Sequence, residues 1–477
     1  MRLIALLFLC LISLLASCGE IEAPDRKELA RIHYGTPLVY VRADPACNAK
    51  GALSDLGSTK VWVGAKGKMS LVTVDFSGVS GHGLQSEAIA DTLWDFQLAY
   101  DRLCVVSVEN TSICKSPKIQ VRDPGKRLYF CKKGGDYPRE SLENVALASL
   151  IGIQKTHKLH TSVFPHEKLQ RVSLLVHPRI VDHKVIENRS AREGLNLDIH
   201  YVRTDNAYWF PIADASFIAA VPESAEKKKE LAHAEPRLWE MPAIMSHEYG
   251  HHVFWQNAPS LTKALSFRSA DGSAVSEDAL DLANSAINEG FADLVAYYTY
   301  LIEYHALGWF QLDGNLFDRE VSKTRFSDGS YKKLDDWFLN HFFAQTPKLP
   351  IRQHELNPTD DHAVGAVLAH GIFRIFGPQR ATQFRVPEIS ESDARTAYGL
   401  IIQWSRRLEE HFVKDRSEIA SASDYLKKAL GHSLSLGTEN TEAGPLLHQC
   451  QTLFQVFPIF NQLVEDHCQM HWEHLGS

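Results

Sequence analysis

Positive charge is in short supply in this chain of 477 residues: 50 lysines and arginines stand against 58 aspartates and glutamates, a formal charge of −8. That balance gives no electrostatic reason to expect a nucleic acid as partner. The one dense lysine run, "EKKKE" at 226–230, is flanked by acids and reads as a solvated loop. Internal repeats and low-complexity tracts are missing, so neither a solenoid nor a compositionally biased chain is expected. No two cysteines have the C-x-x-C spacing of a structural zinc site. With 44% hydrophobic and 23% charged residues, what is present is a folded globular chain, long enough for two or three domains.

The chain starts with an apolar run that is short for a stable transmembrane span: Arg2, then Leu3 to Leu15. It ends in "LASC" (15–18), which resembles the bacterial lipobox. The resemblance implies cleavage before Cys18 and acylation of that cysteine; the alternative is an ordinary secretory signal with an incidental cysteine. Gly19 follows where an inner-membrane retention signal would place aspartate, so the expected location is the bacterial cell envelope, anchored in the outer membrane. Several acyl chains would make the membrane a stable partner. Of eight cysteines, Cys10 would leave with the signal and Cys18 would carry lipid. Cys47, Cys104, Cys114, Cys131, Cys450 and Cys468 remain. An even number in an exported chain suggests disulfides, the N-terminal four among themselves and Cys450 with Cys468; free buried thiols are the alternative.

Residues 1–17 read as the signal and 18–35 as a polar tether. Residues 36–136 are strand-like, with β-branched runs punctuated by Gly, Asn and Ser, and suggest a small β-rich domain. At 137–160 the texture changes: Leu142, Val145, Leu150 and Ile153 recur at helical spacing. Strand-like "RVSLLVH" (171–177) and "YVRTDNAYWFPIADASFIAAVP" (201–222) follow, and beyond "EPRLWEMP" the chain turns helical. The expected division continues with 137–258, an N-lobe holding the helix described next, and 259–477, a helical C-lobe with C-terminal helices.

Residues 246–252 read "SHEYGHH". Residues four apart project from one helix face, so His247 and His251 can reach one ion. A catalytic zinc site uses three protein ligands and leaves one position to water. Glu248 is turned away by roughly 100°, where it can accept a proton from water but not ligate the same ion. Taken alone, the three residues could also be a solvated histidine-rich helix face. His252, one residue further on, falls on another face and reads as a bystander or a support. A third ligand is needed, and "SAINEGFADLVAYY" (285–298) offers one. Ser276 can cap this helix, with Glu277 and Asp278 in its first turn. Glu289 and Asp293 share a face surrounded by Ile287, Phe291, Ala292 and Val295, so they need a partner. Zinc gives Glu289 one, and Asp293 can orient a ligand histidine. The alternative is an exposed acidic stripe.

"HEYGH" followed by "NEGFAD" resembles the thermolysin-like gluzincin metallopeptidases, with their H-E-x-x-H and N-E-x-x-S/A-D signatures. The resemblance implies one catalytic zinc ion held by His247, His251 and Glu289, Glu248 as general base, and Asp293 as partner of a ligand histidine. "NAYW" (206–209) resembles that family's cleft-lining edge strand, in which Asn206 and the Ala207 backbone would hold the substrate's main chain. "LLVHP" would be the neighbouring strand. "DDHAVGAVLAHGIF" (360–373) resembles its H-x-x-G helix, which gives His362 the role of steadying the oxyanion, with Asp360 or Asp361 orienting it and His370 as competing candidate. Thirty-seven residues lie between His251 and Glu289, which implies an inserted loop at the cleft rim. The expected fold is α+β: a two-lobed core, mixed β/α then helical, behind the β-rich domain. The expected activity is a membrane-anchored zinc endopeptidase acting on peptide or protein substrates. Its rivals are a zinc aminopeptidase, for which no G-x-M-E-N anchor is found, and a lipoprotein scaffold or adhesin with a structural metal.

Overall fold

The computed structural model describes residues 58–65, 68–76, 90–106, 112–114, 118–128, 137–188, 196–204, 206–212, 215–224, 236–263, 274–304, 365, 369, 372 and 390–415. Cys18, Cys47, Cys131, Cys450, Cys468, Asp360, Asp361, His362 and His370 lie outside the described residues. The fold is mixed α/β, as expected of the α+β class. In chain order the elements are strands β1 (Ser58–Ala65), β2 (Lys68–Asp75), β3 (Ala90–Val106), β4 (Ser112–Cys114) and β5 (Lys118–Arg127), helix α1 (Leu142–Val163), strands β6 (Val172–Val176), β7 (Arg179–Asn188), β8 (Asn196–Val202), β9 (Asn206–Ile212) and β10 (Ala215–Val221), and helices α2 (Pro242–Asn257), α3 (Pro259–Lys263), α4 (Ala274–Thr299) and α5 (Glu391–Asp415). Among the described residues no helix is long and apolar enough to cross a membrane.

β1 and β2 form a hairpin of their own; the other eight strands form one sheet. β3 runs parallel to both β6 and β7, so strands from either side of the boundary expected at residue 136 share a sheet. Local sequence cannot reveal that join, because the partners are far apart along the chain. The register is the same in both pairings: Ala90 faces Val172 and Gln97 faces Arg179, an offset of 82. β6 and β7 are therefore one strand line, interrupted at His177 and Pro178. The same offset puts His177 beside Asp95, and these two are the only non-glycine residues with positive φ among the described ones, at 50° and 59°. Side chains rarely adopt that region. Two neighbouring strands thus bend on one transverse line. β4 follows β3 antiparallel and places Cys104 opposite Cys114 in register.

Side chains alternate across the sheet. Val172, Leu174 and Val176 of β6, with Ile218 and Ala220 of β10, join the main core with the helices. Leu175, Phe217, Ala219 and Val221 join a second cluster with Phe96, Leu98, Tyr100 and Phe210 on the other face. β9 pairs antiparallel with β10 and is the last of the described strands on this side of the sheet. β10, and not the "LLVHP" strand β6, is its neighbour, because β10 inserts parallel beside β6.

α1 lies in the core between sheet and helices. Ser141 caps it by accepting from the Asn144 N–H at 3.1 Å. The Asn144 side chain accepts from the Trp62 N–H at 2.8 Å and so ties the β1–β2 hairpin to the helix. His157 Nδ1 meets the Tyr249 hydroxyl at 2.9 Å, and His160 Nδ1 meets that of Tyr398 at 3.1 Å. Burial pushes His157 down to about 4. Burial, then the charges of His157 and Arg406, pushes His160 down to about 3. An unfolded histidine takes its proton near pH ~6.5, so the unfolded chain binds protons that the fold refuses. The stability these two contribute is present above about pH 6.5 and is lost as pH falls towards their folded values. The thermal midpoint is expected to drop by several degrees between about pH 7 and 5, and less in His160→Gln. A midpoint that stays flat in calorimetry across that range contradicts neutral burial of the two rings.

Candidate metal centre

The start of α2 is held by a buried glutamate. Glu240 accepts from Arg139 Nε at 2.8 Å, from Arg139 Nη2 at 2.6 Å and from the Arg237 N–H at 2.8 Å. Arg237 also pairs with Glu223. Pro242 occupies the first turn of α2, where its missing N–H costs nothing.

Two glycines then let α2 pack against its neighbours without a gap. At Gly152 of α1 a Cβ would lie 2.4 Å from the Pro242 carbonyl oxygen, and at Gly250 of α2 one would lie 2.8 Å from Ala292 Cα. The second approach sets the crossing of α2 with α4. His247, one turn before Gly250, His251, directly after it, and Glu289, one turn before Ala292, come together beside this contact.

Their donor atoms all lie within 4.8 Å of one another. His247 donates Nδ1–H to Asp293 at 2.9 Å, and its Nε2 lies 3.1 Å from Glu289 Oε2. His251 donates Nδ1–H to Asn288 Oδ1 at 3.0 Å, and its Nε2 lies 3.6 Å from the same Glu289 oxygen. The rings stand nearly perpendicular, 4.6 Å apart. Each imidazole thus has one nitrogen fixed from outside and the other turned inward, the arrangement that prepares histidine for a metal. Burial would lower the His247 pKa, but the hydrogen bonds and charges of Asp293 and Glu289 raise it well above the ordinary value. The two carboxylates thus favour positive charge at this ring, which a bound cation can supply. The two imidazoles and one carboxylate therefore fit a divalent ion. Asp293 is buried against His247 and is no exposed stripe.

Glu248 is 8% exposed and makes no hydrogen bond or ion pair with a described residue. His252 faces away from the site: its Nδ1 meets Ser216 Oγ at 2.9 Å and its Nε2 meets the Gln170 carbonyl at 2.8 Å, tying α2 to β10. Ser216 also accepts from Trp209 Nε1 at 2.8 Å, and the Trp209 ring lies 5.7 Å from that of His251. β9 accordingly runs beside the metal helix. Asn206 Oδ1 accepts from the Ala207 N–H at 2.9 Å, so an incoming strand would have to displace that bond to use this N–H.

His362 is outside the described residues, but Gly365 is not. A Cβ on Gly365 would lie 2.6 Å from Glu289 Cβ, and one on Gly290 would lie 2.6 Å from the Gly365 carbonyl oxygen, so the Gly365 backbone touches α4. Ser276 lies inside the first turn of α4, which begins at Ala274, and not at its cap. Helix ends read from sequence are uncertain by about two residues, since several polar residues there compete for the cap. Sequence reasoning overlooked Asn288 and the Trp209–Ser216–His252 chain. Asn288 had a signal, its place directly before the acidic ligand; the chain of three had none.

Fold and site together describe a mixed α/β protein in which two helices bring a His–His–Glu group to metal-binding distance. No family model, no curated protein and no solved structure matches the chain.

Proposed function

We propose that the protein is a zinc-dependent endopeptidase of the thermolysin-like kind, anchored through a lipid on Cys18 to a bacterial envelope. What carries the reading is the convergence of His247, His251 and Glu289 beside the carboxylate of Glu248, the residue after His247, which has no partner among the described residues. A site that only braced the fold would not need that carboxylate.

His247, His251 and Glu289 would hold the ion, and Asp293 and Asn288 keep the two rings in place. Bound zinc supplies Lewis acidity, which makes a water acidic near neutrality and polarises a carbonyl. Glu248 takes the proton of the attacking water and delivers it to the departing amine. β9, the last of the described strands on its side of the sheet, offers main-chain hydrogen bonds to an extended substrate, with Asn206 and Ala207 at its start. Trp209 walls this strand against His251. His362 steadies the developing oxyanion; Gly365, three residues further along the chain, lies against Glu289 and Gly290.

The test uses the full chain on two peptide sets of one sequence, one capped at its amine and one free. Chelation is expected to reduce cleavage of both by more than about 100-fold, and added zinc to restore it. Preference for free amines would shift the reading to an aminopeptidase. Cleavage indifferent to chelator would end it.

A further inference from the structure

The sheet carries a second set of metal donors, remote in sequence from α2 and α4, and its register assembles them. Asp101 of β3 faces His183 of β7, and His183 faces His200 of β8. Ladder partners share a face, so the three stand in one row across three strands. Asp198 is two residues before His200 and shares that face.

The distances make the row more than a surface cluster. His183 Nδ1 lies 3.1 Å from Asp101 Oδ1 and donates to it. His183 Nε2 then lies 2.8 Å from Asp198 Oδ1, and His200 Nε2 lies 3.1 Å from the same oxygen. The two rings stack 4.0 Å apart, only 6° from parallel. One nitrogen of each ring and one oxygen of Asp198 thus converge at metal-binding spacing, while Asp101 holds the other nitrogen of His183. A divalent ion engages all three donors together and offsets two carboxylates.

We propose that His183, Asp198 and His200 bind a divalent transition-metal ion, zinc foremost, with Asp101 orienting His183. Two imidazoles and one carboxylate favour zinc, copper, nickel or cobalt over calcium or magnesium. All three donors are reached by solvent, His200 at 60% side-chain exposure, so loading requires no unfolding. The ion ties β8, which pairs only with β7 among the described strands, to β7. It is a site for holding this margin of the sheet, separate from the candidate centre on α2 and α4.

Zinc chloride titrated into the metal-free full chain, with calorimetry and elemental analysis, tests it. The wild type is expected to take two equivalents, His200→Ala one and His251→Ala one. His183→Gln, read beside His200→Ala, guards against one substitution misleading. Circular dichroism checks that each variant is folded. A single equivalent lost in His200→Ala but kept in His251→Ala supports this site and removes the other. A wild-type count that neither His200→Ala nor His183→Gln lowers overturns the proposal.

Discussion

Glu248→Gln lowers hydrolysis of an unfolded protein substrate by about a thousandfold and leaves zinc at the α2–α4 centre in place: that is the expected result. Glutamine keeps the shape and the hydrogen-bonding reach of the side chain but cannot accept a proton. General acid–base catalysis by a placed side chain contributes about 10²–10⁴ in rate, and Glu248 is asked to act twice, on water and on the leaving amine. The residue follows a proposed ligand yet belongs to a different helix face, so the three donors lose nothing in the variant. Its carboxylate makes no hydrogen bond or ion pair with a described residue, so nothing described competes with a water for it. Elemental analysis beside the activity measurement separates the possibilities. Unchanged hydrolysis removes Glu248 from the chemistry, and loss of metal makes it a structural residue.

Gly250→Val is expected to weaken zinc binding at that centre by about tenfold or more and to lower the thermal midpoint. A Cβ at this position would lie 2.8 Å from Ala292 Cα and 3.0 Å from the Ala292 oxygen, both backbone atoms that cannot swing aside. The helices have to part, and overpacking of this kind costs about 1–3 kcal/mol. Parting them carries Glu289 away from both imidazoles, and zinc accepts bond lengths only within about 0.2 Å of its preferred values. The substitution touches no donor atom. It therefore tests whether the crossing itself sets the site. Calorimetric affinity equal to that of the wild type would show that α2 and α4 reach metal-binding distance by some other restraint.

How far the site was legible follows from what leaves a spacing in sequence. His247 and His251 are four apart on one helix, and Glu289 and Asp293 are four apart on another, so each pair announced its own face. That the two faces meet was legible only through the resemblance. The contact is made by Gly250 and Ala292, small residues with no pattern of their own. Asn288 went unread because one amide beside an acid has no periodicity. From sequence His252 reads as a bystander or a support; in the fold its two nitrogens tie α2 to β10 and to Gln170. Among strands, the strand-like character of β6 and β10 is legible but not their partners, because both are buried along their whole length. The join of β3 to β6 and β7 rests on pairing at an offset of 82, which no local signal encodes. Asp95 and His177 were unremarkable in sequence, since neither is the glycine that usually announces positive φ.

The bend at those two residues has a consequence for how the gene can vary. Register is the same before and after it, so neither strand gains a residue there. Point exchanges at Asp95 or His177 would strain a turn, whereas deleting or inserting a single codon in either strand would turn every later side chain to the opposite side. Asp182 and His183 would trade places, and so would Leu98 and Ala99. Variation in length should therefore be confined to the connecting segments, and this pair of strands should change only by substitution.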